Sequence, residues 1–347
     1  MYGRRRSALL EPVLCAFSLL YRAAVVLRAS FYRAGIFRAR RLPCRVISVG
    51  NVTLGGTGKT PTVIHLARLL SEQGKRPAVL TRGYGRADED EIVVVSDKSG
   101  IRTDAGRGGD EPLLMAARLP GVPVIAGRDR YAAGMLAIER FRPEVAVLDD
   151  GFQHLRLERD LNIVLVDASD PFGNNRLFPA GILREPLNAL GRADAVLITR
   201  TDGALPESSL TERLREHTRA PIFTAVHAPV SLTELKSGRK GLPDLLRGKK
   251  VLAFTGIARP SAFFATLQTL GAKVLAAREY PDHYRYAPVD LEAIMSGARE
   301  TGAEMIVTTE KDAVKLTGRE REGVWSLGIE QVVREAEAWK RFVLEGP

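Results

Sequence analysis

The sequence predicts an α/β protein: a parallel-sheet domain built around a phosphate-binding loop, a second and smaller α/β domain, and an amphipathic helix at the N-terminus. Three observations carry this. The β-branched run at 46–49 leads through Asn51-Val-Thr-Leu-Gly-Gly-Thr-Gly-Lys-Thr60 into a helix-forming stretch at 61–70. Short apolar runs then alternate with helical stretches along both halves of the chain, the pattern of strands buried in a parallel sheet. Finally, the chain is long for one domain, and its first 45 residues differ in charge from all the rest.

The strand, glycine loop and helix come in the order that a phosphate site requires. Glycines let backbone N–H groups converge on phosphate oxygens, and the start of the following helix favours negative charge. Lys59 would reach the β/γ-phosphates and the Thr60 hydroxyl would meet Mg²⁺. Pro61 suits a first helical turn, where its missing N–H costs little. Thr53 stands where the strict G-x-x-x-x-G-K-[ST] pattern has its first glycine, so a plain turn ahead of a helix is the competing reading. The lysine, the hydroxyl and both flanks favour a P-loop NTPase-like domain.

Composition bounds the rest. With 347 residues and 45% hydrophobic content, two cored domains are expected. The boundaries read as 1–42 for the N-terminal helix, 43–235 for the P-loop domain, 236–250 for a linker and 251–347 for the C-terminal domain. Cys15 and Cys44 are the only cysteines, which excludes a disulfide framework and fits a reducing compartment, by default the cytoplasm. The net charge of +10 is local: residues 1–45 hold ten arginines and one acid, a net +9, leaving +1 for the remainder. That distribution argues against a nucleic-acid groove and for an N-terminal segment that meets an anionic surface.

Residues 7–40 are rich in Leu, Val, Ala and Phe, interrupted by arginines. The longest uncharged run, 12–21, has ten residues against the roughly 20 of a bilayer span, so a span is not expected. No cleavage site marks a signal peptide. On a helical projection Glu11, Ser18, Arg22, Arg33 and Arg40 share one stripe and apolar residues cover the rest. Such a helix suits the interface of an anionic membrane, or equally a face of its own protein.

Beyond the loop, a strand at 77–81 runs into Arg82-Gly-Tyr-Gly-Arg86, which fits either a ligand crevice or a turn. A strand at 91–95 follows. Then Gly109-Asp-Glu-Pro112 delivers two acids ahead of a helix at 113–119, and on chemistry alone Asp110 and Glu111 read as helix capping. Runs at 122–126 and 145–148 read as buried parallel strands around a helix at 131–140. The second ends in Asp149-Asp-Gly-Phe-Gln-His154, the Walker-B arrangement of a carboxylate that positions Mg²⁺. Strands follow at 162–166, 195–199 and 222–226, with a Pro/Gly/Asn-rich functional loop at 171–186. The second domain alternates strands at 251–255, 273–277 and 305–308 with helices at 261–270 and 291–300. A terminal helix is expected from Glu330.

Taken together, these motifs resemble the tetraacyldisaccharide 4′-kinases of lipid A synthesis. The resemblance runs in order through the P-loop, Arg82–Arg86, Gly109–Pro112, Asp149–His154, Phe172-Gly-Asn174 with Pro179-Ala-Gly181, Arg184-Glu-Pro186, Asp282-His-Tyr284 and Thr309-Glu-Lys-Asp312. Asn175 and Ile182 stand where glycine and proline are expected.

The resemblance implies transfer of the ATP γ-phosphoryl group, with Mg²⁺, to the 4′-hydroxyl of a tetraacylated glucosamine disaccharide 1-phosphate, in the cleft between two α/β domains. It implies action at the cytoplasmic face of the bacterial inner membrane, with no nucleic acid and no obligate protein partner. By position, Thr53, Gly55, Gly56, Thr57, Gly58, Lys59 and Thr60 match the nucleotide loop, and Arg130 and Arg184 match basic residues near the phosphates. Thr60, Glu111, Asp150 and Gln153 match groups around Mg²⁺. Asp110 matches the base, paired with His283; Lys59, Asp110 and His283 are the expected catalytic set.

The same chemistry follows without the family. Phosphoryl transfer needs cations on the phosphates, a held metal and a base for the sugar hydroxyl. His65, His217 and His227 lie outside any motif, and His154 suits packing. The alternative is a membrane-associated partitioning or targeting ATPase, whose loop normally carries a lysine just before the glycine pair; here that residue is Leu54.

Overall fold

The computed structural model describes residues 10–202 and 207–347, so the arginines at 4–6 lie outside the described residues. In chain order the first elements are α1 (Leu10–Arg33), β1 (Arg45–Asn51), α2 (Lys59–Glu72), β2 (Pro77–Thr81), β3 (Val93–Asp97), β4 (Gly100–Ile101), α3 (Ala105–Gly108) and α4 (Asp110–Arg118). Then come β5 (Val124–Ala126), α5 (Arg130–Phe141), β6 (Val145–Asp149), β7 (Leu161–Asp167), β8 (Ala195–Thr199), α6 (Glu207–Arg215), β9 (Ile222–Glu234) and β10 (Lys240–Gly241). The remainder is β11 (Lys250–Thr255), α7 (Pro260–Thr269), β12 (Lys273–Glu279), α8 (Pro288–Thr301), β13 (Met305–Thr309), α9 (Glu310–Ala313), β14 (Val324–Val333) and α10 (Ala336–Glu345).

These elements form two compact units. One comprises Met1–Leu80, Asp129–Val226 and Val332–Pro347; the other comprises Thr81–Arg128 and His227–Gln331. The chain therefore passes between units within β9 and β14 rather than through 236–250, and residues 81–128 group with the later part of the chain. The lysine- and glycine-rich stretch reads as a linker by composition. It nevertheless contains β10, paired antiparallel with β9, and a 3-10 turn at Pro243–Leu246 whose Leu246 is fully buried.

In the first unit six strands lie parallel in the order β9-β8-β7-β1-β6-β2. Their residues are apolar on both faces because helices cover both, so every residue of β6 and β8 is buried. Helix α2 turns Val63, Ile64, Leu66, Ala67 and Leu70 inward, the 3.6-residue spacing of a half-buried helix. Its His65 accepts the indole N–H of Trp339 at 3.1 Å, which gives that histidine a structural role. Trp339, 1% exposed, also packs on Phe223, and its truncation to alanine is worth roughly 3–5 kcal/mol. The terminal helix starts at Ala336, not Glu330: Glu330 lies in strand β14, and Glu335 precedes the helix as its N-cap.

In the second unit β12-β11-β13-β14 are parallel. One apolar cluster gathers Phe263 and Leu267 of α7 with Val251 and Val307; another gathers Leu291 and Ile294 of α8 with Leu252 and Phe254. The run at 122–126 forms β5, and its neighbour β3 runs antiparallel to it. Apolar content reports burial but carries no strand direction.

Helix α1 has no buried residue. It meets its own unit through the Tyr21 ring, edge-on to Phe178, and through polar groups: Ser18 Oγ donates to the Leu177 carbonyl, the Tyr21 hydroxyl to the Arg184 carbonyl and Arg28 to the Gln153 carbonyl. Glu11 pairs with Arg176 at 2.7 Å. Leu10, Val13, Phe17, Leu20 and Leu27 are instead each at least half exposed. The apolar face is thus the one left to its surroundings. Counted as one helix, with Arg22 and Arg28 inside it, α1 is long and apolar enough to cross a membrane by length and composition, which the ten-residue uncharged run alone did not suggest.

Candidate active site

The nucleotide loop links the buried end of β1 to the first residue of α2, Lys59. Gly55 and Gly58 adopt positive φ, at 102° and 91°, conformations that side chains other than glycine resist. Thr53 has no such φ, so the glycine of the strict motif is not needed there; it is 4% exposed and bridges to Leu183. Asn51 Nδ2 donates to Thr57 Oγ1 at 2.9 Å and to Thr53 Oγ1 at 3.4 Å, tying the loop's ends together. Helix α2 has no side-chain cap, which leaves its leading N–H groups for an anion. A Cβ built on Gly55 or Gly56 would meet nothing within 4 Å, so the loop's glycine face is open. Thr60 stands in the first turn of α2, next to Lys59.

Asp150 follows β6 in a left-handed conformation, φ 52°. Arg184 Nη1 donates to both its oxygens, at 3.0 and 2.8 Å, and Lys59 Nζ lies 3.7 Å away. Burial alone would raise this carboxyl, but Lys59, Arg184 and the more distant Arg130 together hold it below the usual carboxylate range. Arg130 itself is 4% exposed at the start of α5, so it acts through its charge from a fixed place. Gln153 donates Nε2 to the Asn51 carbonyl and to Glu185, and its Oε1 accepts from Arg184 at 3.4 Å. Glu185, 4% exposed and paired with Arg192, thus braces Gln153, a role its place in a Pro-rich loop did not signal. Beside it, His154 is driven down to about 4 by burial and then by Arg130, so it stays neutral and packs.

The other expected residues lie in the second unit. Asp110 is the first residue of α4, and Gly109, at φ 92°, precedes it as a cap without a side chain. The capping reading therefore fails for Asp110: the aspartate that caps here is Asp104, which accepts from Arg107 N ahead of α3. Asp110 instead takes His283 Nδ1 at 3.3 Å and Lys315 Nζ at 3.6 Å. Burial opposes its ionisation, yet the hydrogen bond from His283 and the charge of Lys315 hold it low. Lys311 Nζ sits 3.2 Å from His283 Nε2, 3.1 Å from Asp282 and 3.2 Å from Glu111. An ammonium has only N–H to give, so Nε2 accepts and the neutral ring carries its proton on Nδ1, facing Asp110.

Behind these groups, Asp312 is fully buried and accepts from Thr255 Oγ1, Gly256 N, Thr309 Oγ1 and Lys315 Nζ. The backbone of His283 donates to the Gly256 carbonyl at 3.3 Å. Asp110 and His283 were expected in different domains; both belong to the second unit. The Thr309–Asp312 motif pointed to this region without assigning Lys311 a task, and Lys315, three residues beyond it, carried no signal at all.

These two constellations, one with a phosphate loop and one with a held carboxylate, meet a single family. A model described as "Tetraacyldisaccharide-1-P 4'-kinase" matches residues 10–346. The chain belongs to this family. A tetraacyldisaccharide 4′-kinase from Syntrophus aciditrophicus is 48% identical over 343 residues, covering 95% of this chain and 91% of that one. One from Pelobacter propionicus is 47% identical, covering 92% and 88%. Among solved structures, LpxK from Aquifex aeolicus in complex with ATP aligns with a TM-score of 0.80 at 36% identity, over 96% of this chain and 98% of that one. The partitioning or targeting ATPase is not favoured beside a kinase family that spans the chain. Among the described residues no cluster of three or more His, Cys, Asp or Glu forms a metal cage. The oxygen donors at Thr60 and Asp150 suit Mg²⁺, which keeps water and phosphate oxygens and takes only one or two protein carboxylates.

Proposed function

We propose that Asp110 is the general base of the family reaction and that Lys59, Arg184 and Asp150 handle the nucleotide. The chain is a lipid A 4′-kinase that uses ATP with Mg²⁺. Its acceptor is the 4′-hydroxyl of a tetraacylated glucosamine disaccharide 1-phosphate. An alcohol attacks phosphorus well only when its proton has a place to go, and a positioned carboxylate supplies one. His283, donating through Nδ1, orients Asp110 and steadies its charge. Asp110 receives the proton.

The observation that supports this most is the use of Asp110's oxygen: the carboxylate at the head of α4 caps nothing and is held by His283 and Lys315. On the nucleotide side, Gly55, Gly56, Thr57 and Gly58 would present backbone N–H groups to the phosphates, while Thr53 shapes the loop's entry. Lys59, with Arg130 and Arg184, would offset their charge. Thr60 and Asp150 would hold Mg²⁺, with Gln153 and Glu111 as further oxygen donors, and the ion would neutralise charge on the transferred group.

Membrane association follows from α1, whose polar groups are used on the protein and whose leucines and phenylalanine face outward. This reading places the enzyme at the cytoplasmic face of the inner membrane, where an acylated acceptor resides. Purified protein incubated with γ-labelled ATP, Mg²⁺ and detergent-dispersed acceptor should move label into the lipid. Release of labelled phosphate with none in the lipid would overturn the assignment.

A further inference from the structure

The carbonyl side of the nucleotide loop is held by residues outside every motif that identified the loop. Thr199, 0% exposed at the end of β8, donates its hydroxyl to the Thr57 carbonyl at 2.9 Å. The next residue, Arg200, donates Nη1 to the Gly56 carbonyl at 2.8 Å. The same guanidinium pairs with Asp167, a 2% exposed carboxylate at the end of the neighbouring strand β7. Ser169 fixes that carboxylate from behind, donating N at 3.0 Å and Oγ at 2.6 Å to Oδ1. Strands β7 and β8 are in register here, with Asp167 opposite Thr199, so the anchor sits at paired strand ends where open parallel sheets bind ligands.

Arg200 has φ 56°, a left-handed conformation that costs a residue with a Cβ of order 1 kcal/mol or more. Its neighbours in β8 are extended. The turn swings the arginine from the strand's line toward the loop. A peptide plane whose carbonyl is held on one side has its N–H on the other, so anchoring the Gly56 and Thr57 carbonyls fixes where the N–H groups of Thr57 and Gly58 point. Those are among the groups that would receive phosphate.

The geometry assigns Thr199 and Arg200 as positioning residues of the nucleotide loop, preorganising its N–H groups for the ATP phosphates. They act through the orientation of two peptide planes. Asp167 sets the arginine's place and Ser169 sets the aspartate's. Loops that are ordered before binding lose less conformational freedom on binding, so this anchor appears as ATP affinity. The inference rests on the reading of residues 53–60 as the ATP-phosphate site, and its test keeps the two apart.

ATP binding is measured by calorimetry on the full chain in detergent with Mg²⁺, alongside the unfolding midpoint without nucleotide and the KM for the lipid acceptor. Arg200→Ala should weaken ATP binding roughly 10-fold or more, the scale of a lost hydrogen bond from a charged donor. Arg200→Lys should recover part of this, because an ammonium reaches one of the two acceptors. Thr199→Val, which keeps shape and removes one donor, should weaken ATP binding by about 3–10-fold. The acceptor KM should stay within a factor of about two in each. Lys59→Ala serves as the control for the underlying reading: if it leaves ATP affinity untouched, the phosphate site itself is misassigned. If Lys59→Ala loses ATP while Arg200→Ala and Thr199→Val bind it like wild type, the anchor is overturned and the site stands. Should Arg200→Ala fail to fold, Thr199→Val decides alone. A lower unfolding midpoint with unchanged ATP affinity would mark a purely structural role and equally overturn the proposal.

Discussion

Asp150 and Asp110 are carboxylates in different units, each held below the usual carboxylate range by cations that outweigh the cost of burial. Their surroundings differ in one respect. Around Asp150, with its side chain 32% exposed, the partners are Lys59 and Arg184, the cations proposed to meet the phosphates. Around Asp110, 12% exposed, the partners are themselves fastened: Lys315 is 4% exposed and bound to buried Asp312, and His283 is held by Lys311 at Nε2 and by Gly256 through its backbone. Under the proposed function, the first carboxylate would exchange partners when nucleotide and metal arrive. The second would keep its place and take a proton.

Breaking the exchange side should have the larger effect on turnover. Lys59→Ala removes one cation from Asp150 and one from the phosphates, and kcat should fall by at least about 10³-fold, the lower range for a charge on a transferred phosphoryl group. The fold should survive, as read by an unchanged far-UV spectrum. Loss of cooperative unfolding would instead make Lys59 a structural partner of Asp150. Asp150→Asn should shift the Mg²⁺ midpoint upward by roughly 10–100-fold, and added metal should restore part of the rate. A titration that overlays wild type would remove Asp150 from the metal.

The smallest expected effect is on stability and concerns His154, behind the nucleotide side. Its folded value of about 4 lies below the ordinary 6.5, so the unfolded chain binds the extra proton between these values. Stability from keeping this ring neutral is present above about 6.5 and lost as pH falls toward about 4. In nucleotide- and metal-free protein, the unfolding midpoint should therefore drop more steeply between these limits in wild type than in His154→Gln. Parallel curves would contradict the burial account.

The difference between the two carboxylates also explains what the sequence made legible. The P-loop, α2 and the strand before Asp150 are local, so glycines, a β-branched run and a terminal acid announce them within a few residues. The partners of Asp110 lie 173 and 205 positions away. No local period connects them: His283 came only through the family resemblance, and Lys315 not at all. On chemistry alone Asp110 reads as a cap, because a capping aspartate and a catalytic one look alike until the side chain's partner is known. The helix expected from Glu330 begins instead at Ala336, because Val324–Val333 forms strand β14.

The most direct test of the account is single-turnover label transfer by Asp110→Asn, with ATP affinity measured on the same preparation. The asparagine keeps the size of the side chain and loses the basic oxygen. The account predicts a transfer rate lower by roughly 10²–10⁴-fold, ATP binding within a factor of about two of wild type, and little further loss on adding His283→Ala, because the two act as one unit. An Asp110→Asn enzyme that transfers label at the wild-type rate, with His283→Ala acting independently of it, would contradict the assignment of Asp110 as the base.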